Sequence, residues 1–142
     1  YGIRNDKFNG GGISTPEMYY IKAECLARKG GQENIDEAMN VLNAVRVTRI
    51  FTDKYAPLSA ATTEQAVKYI ISEKANEYVQ TAIPFWDMRR LNQDALYART
   101  LTKEFNESTL TLSPTSHLWI MPFPLGATSN PGNGTIKQNV ER

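Results

Sequence analysis

Apolar residues recur at helical spacing at Met18, Ile21 and Cys25, with Tyr19, Ala23 and Leu26 beside them. This wide stripe predicts a buried helix face, on which Cys25 is a small buried hydrophobe. Thr15 is the expected N-cap, Pro16 suits the first helical position, and Glu17 suits the positive end of the helix dipole. Glu24 and Arg28 are four residues apart and are expected to pair on the opposite face. Gly30 and Gly31 end the helix after the basic Arg28 and Lys29. A second helix is expected from Asn34, where Asn34 and Glu37 form a capping-box-like pair, to about Arg49. Ala38, Leu42 and Val45, joined by Met39 and Val41, mark its apolar face, and Asp36, Asn40 and Asn43 mark the other. The short connector makes the two helices antiparallel, and Ala38 is small enough to let them approach closely.

Residues 51–61 contain Pro57 and read as a loop. Thr62 and Gln65 repeat the capping-box pattern ahead of a third helix to about Gln80, with Val67, Ile70, Ile71, Tyr78 and Val79 as its candidate core. Ile83 precedes a proline and so interrupts the helical run. Pro84 opens a short fourth helix through Leu91. Residues 100–115 are rich in Thr and Ser, with Leu110 and Leu112 alternating, and read as loop or as a short extended segment. Leu118 to Pro124 form an apolar strip in which Pro122 and Pro124 exclude an ordinary helix or a central strand. The strip is expected to lie extended against the helices, before a sharp turn at residues 130–134. Residues 1–14, with Gly10 to Gly12, read as an entry loop. This glycine run has neither the preceding strand nor the Gly-Lys-Ser/Thr ending of a phosphate loop, so it reads as a flexible linker.

The 142 residues suit one domain, and a hydrophobic share of 41% suffices for a core. Sixteen basic against fifteen acidic residues leave a formal charge of +1, which offers no footprint for nucleic acid or an anionic membrane; Arg89 and Arg90 are only a pair. No apolar run approaches the roughly 20 residues of a membrane span. The first residues hold neither a starting Met nor a signal-peptide stretch, so the chain reads as processed or as a fragment. A lone cysteine cannot form an internal disulfide and leaves the redox compartment open. Two glycosylation-type triplets, at Asn106 and Asn133, matter only in a eukaryotic secretory route.

The candidate chemistry is sparse. Glu73 and Glu77 lie four apart on one helix face and could flank a sugar bond as paired acids, but such acids are usually surface charge, and Lys74 sits among them. His117 has no Cys or His partner at ligand spacing, so no metal site and no cofactor is implied. Ser72, Ser113 and Ser116 lie in no nucleophile-elbow pattern. Trp86 and Trp119 could stack on sugar rings, but their apolar neighbours favour the core; Tyr55 and Tyr97 are undecided. No catalytic residue is assigned, which points to a binding or docking module rather than an enzyme.

Four segments together resemble the SusD/RagB family. Thr15 to Gly30 looks like its "R/T-x-E-x-x-L-I-x-A-E-A" helix, and Ala38 to Arg46 resembles the partner helix "A-x-x-x-L-N-x-V-R". Ile71 to Tyr78 followed by Phe85 to Arg90 is similar to "I-x-x-E-R-x-x-E-L" and "R-W-F-D-L-x-R". Pro122 to Pro131 resembles the closing "I-P-x-x-E-I-x-x-N-P", with Gln138 and Asn139 in the place of its terminal "Q-N". The order holds from about Thr15 to Asn139. The chain departs from the pattern at Lys74, Ala75 and Asn76, at Thr81 to Pro84 and at Gly126, which marks a divergent member with altered packing near Pro84.

The resemblance implies an all-α fold with a tetratricopeptide-like helical hairpin, further helices, long loops and an extended proline-containing tail. It implies a SusD/RagB-like C-terminal helical domain over residues 15–142, from a longer protein. It also implies a surface-exposed lipoprotein of the outer membrane of Bacteroidetes. Such a protein binds glycans or other nutrients beside a TonB-dependent, SusC-like transporter and is held by an N-terminal lipid anchor outside this chain; Cys25 is not that anchor. Family ligand contacts come largely from outside this region, so no ligand-binding residue is carried over. Two other readings stand beside it: a tetratricopeptide-like adaptor gripping a partner protein, and a glycoside hydrolase using Glu73 and Glu77.

Overall fold

The computed structural model describes residues 14–106, 108–130, 132, 134, 136 and 137. The glycine run at 10–12, Asn133 and the Gln138–Asn139 pair lie outside the described residues. The chain divides into two compact units, residues 1–84 and 85–142. The fold is mostly helical with one small two-stranded sheet, so it is all-α only in outline.

Among its described residues, the first unit holds the helices α1 (Thr15–Lys29), α2 (Gln32–Arg46) and α3 (Thr63–Glu77). α1 and α2 form the expected antiparallel hairpin, and α3 packs on both. The connector is Gly30 and Gly31, at φ 77° and 81°, a region that L side chains rarely adopt. Ser14, not Thr15, caps α1: its extended backbone lets its hydroxyl accept from the Glu17 N–H three residues on, and the same hydroxyl meets the Tyr78 hydroxyl. α2 begins two residues before the expected Asn34 and has no side-chain cap. The Asn34 amide instead donates to the Gly30 carbonyl at 2.7 Å, satisfying the end of the preceding helix. α2 stops at Arg46 and passes into turns, short of Arg49. The expected cap at α3 forms, with its return bond displaced by one residue: Thr62 Oγ1 accepts from Gln65 N–H, while Gln65 Oε1 accepts from Ala61 N–H, not from that of Thr62. α3 ends three residues before Gln80, whose φ of 68° departs from helical backbone.

Ala23, Ala27, Ala38 and Ala66 are fully buried beside Leu42, Val67 and Ile70. Small residues at these positions let the helices approach closely. α1 therefore turns Tyr20, Ala23, Glu24 and Ala27 inward and leaves Met18 and Ile21 exposed, at 52% and 42%. This corrects the expected stripe, and Cys25 is exposed rather than buried. Glu24 and Arg28 do pair, at 2.7 Å, but Glu24 lies on the buried face. The expected face of α2 is buried throughout, whereas Val79 beyond α3 is 67% exposed and is not core.

α4 (Ile83–Leu91) starts at the boundary, with Pro84 in its first turn. In the second unit, β1 (Leu101–Phe105) and β2 (Ser108–Leu112) pair antiparallel as a hairpin, so residues 100–115 are in part extended. Leu101, Phe105, Leu110 and Leu112 share one of its faces, while Thr102, Glu104, Thr109 and Thr111 share the other. A short 3-10 turn, His117–Trp119, and α5 (Leu125–Thr128) follow. Trp119 is buried: its ring centroid lies 5.4 Å from that of Phe85, and its Nε1–H donates to Ser113 O at 2.8 Å. Leu118, Ile120, Met121 and Phe123 are exposed, so the apolar strip is anchored through Trp119 and is not buried along its length. Trp86, expected in the core, is 59% exposed.

Candidate functional site

The chemistry-bearing residues of the first unit gather where the end of α2 meets α3 and the middle of α1. Glu73 and Glu77 project one helical turn apart from α3. Two arginines meet them from the other side. Arg46 ends α2 and is nearly buried; its Nε stands 3.4 Å from Glu73 Oε2. That distance gives charge attraction but not hydrogen-bond alignment, because the Nε–H has no hydrogen-bond partner. Its Nη1 donates to Asn43 Oδ1 at 3.2 Å and to Ala56 O at 2.8 Å, and its guanidinium carbon stands 5.8 Å from the Tyr55 ring centroid. Arg49, in the turn beyond α2, forks onto Glu77: Nε donates to both carboxylate oxygens, at 3.2 and 2.9 Å, and Nη2 donates to Oε1 at 2.9 Å.

Tyr20 of α1 lies behind these pairs, 2% exposed, with its ring edge-on to that of Tyr78 at 6.3 Å. Burial, then the negative charges of Glu77 and Glu73, push its hydroxyl up to about 12, with Arg49 opposing. Tyr78 is raised as well, chiefly by burial, against the bond from Ser14. The Arg49 guanidinium is raised mainly by its hydrogen bond to Glu77.

This arrangement suits a scaffold better than paired acid chemistry. Glycoside hydrolysis needs one carboxyl that delivers a proton and a second that is free to attack or to activate water. Both oxygens of Glu77 accept N–H donors from Arg49, and Glu73 faces the buried charge of Arg46. Spacing along the chain marks the two acids but not their arginine partners, which lie far from them in sequence. The signal was present in the motif segment ending Leu42-Asn43-Ala44-Val45-Arg46, two of whose polar members lie in this network.

The other candidates do not converge with it. Ser72 is exposed on α3, and Ser116 caps the 3-10 turn by accepting from Leu118 N–H. His117 is exposed at that turn, and Ser113 lends only its carbonyl to Trp119. Tyr55 is resolved as the aromatic neighbour of Arg46, and Tyr97 is half-buried near the end of a turn. Among the described residues, no cluster of three or more His, Cys, Asp or Glu could hold a metal ion, and no helix is long and apolar enough to cross a membrane.

The family model of the SusD family matches residues 15–140. The chain belongs to the SusD family. Membership supports an accessory role in nutrient binding. The polar motif positions of this SusD-family chain that form the network (Asn43, Arg46, Glu73 and Glu77) join one helix to another or to a loop. No curated protein and no solved structure matches the chain.

Proposed function

We propose that this chain is the C-terminal helical portion, residues 15–142, of a surface lipoprotein that binds a nutrient, a glycan by preference, without turning it over. It hands the nutrient to a TonB-dependent, SusC-like transporter of the outer membrane, where a lipid outside this chain anchors it. The observation that carries this reading is the family match over residues 15–140. Two further features support it: α1 and α2 are a hairpin of tetratricopeptide-like proportions, 15 residues each, and Glu73 and Glu77 are engaged by arginines. In this reading the hairpin is a scaffold that holds a binding surface or a transporter contact.

The test is a glycan array on the full-length protein, followed by an assay for released reducing sugar. Binding without release is the expected result. Sugar release that Glu73→Gln abolishes overturns the reading in favour of a hydrolase. A gene for a TonB-dependent transporter beside this one is expected too.

A further inference from the structure

We draw no further inference here: the strongest candidate, the exposed apolar face that Leu101, Phe105 and Leu110 present on the hairpin of β1 and β2, carries nothing, because nothing in the structure shows what covers it.

Discussion

Arg49 holds Glu77 in a fork, with Nε and Nη2 each 2.9 Å from a different carboxylate oxygen, while one turn earlier Glu73 faces Arg46 at 3.4 Å. The two pairs differ in burial: the Arg49 side chain is 47% exposed and that of Arg46 10%. Solvent screens the first pair, so Glu77→Gln is expected to cost under about 1 kcal/mol. Glu73→Gln leaves a guanidinium charge nearly buried, and about 1–3 kcal/mol is expected. Urea unfolding midpoints of the two variants check the order, which a catalytic role for either acid does not predict.

The Tyr20 hydroxyl links the same cluster to pH. Its folded value, pushed up to about 12, lies above the ordinary value of 10.0 that it has in the unfolded chain. The neutral phenol is therefore favoured by folding. Its stabilising contribution is fully present below pH 10 and is lost as pH rises from there towards 12. Stability measured across that window is expected to fall, and Tyr20→Phe to fall less steeply. Phenolate absorbance of the folded protein is expected to develop later than that of the unfolded chain.

The cap on α3 can be removed without touching the core. Thr62→Ala deletes the acceptor for Gln65 N–H, and a loss of about 1 kcal/mol is expected, against a few tenths for Thr62→Gly. Equal losses for both variants in thermal or urea unfolding would place the role of Thr62 outside capping.

The rotational setting of α1 is testable through its two apolar stripes. Ile21→Ser, on the exposed stripe, is expected to change the stability of this chain by no more than about 0.5 kcal/mol. Leu42→Ala, in the core that α1 packs on, is expected to cost about 2–5 kcal/mol. Cys25 is expected to react with a thiol reagent in the folded chain without denaturant, which a buried Cys25 would not do.

Punctuation and periodicity made much of the helical layout legible. Gly30 and Gly31, the Thr62 cap of α3, Pro84 and the apolar face of α2 each stand in the structure as the residues indicate. These are local signals, because a cap, a turn glycine or a proline acts within a few residues of itself. The candidate acids were legible too, since Glu73 and Glu77 share a helix face by spacing alone. Their arginine partners were not, because those contacts join residues far apart in the chain.

What only the tertiary structure decided is which face of each element finds a partner. Along α1 the larger apolar side chains of Met18 and Ile21 dominate any reading of hydrophobicity, yet the helix buries Ala23 and Ala27, since close helix packing selects small residues. Trp86 and Trp119 look alike as aromatic residues in apolar surroundings, but Trp119 is buried with a ring to pack on and a carbonyl for its indole N–H, while Trp86 is 59% exposed. The sequence by itself determined the order of the helices, the glycine stop of α1, the cap of α3 and which family the chain resembles, through interactions spanning a turn or two. The buried faces, the paired acids and the bonds from Asn43 and Arg46 to the loop beyond α2 depend on contacts between distant segments, and these exist only once the chain has folded.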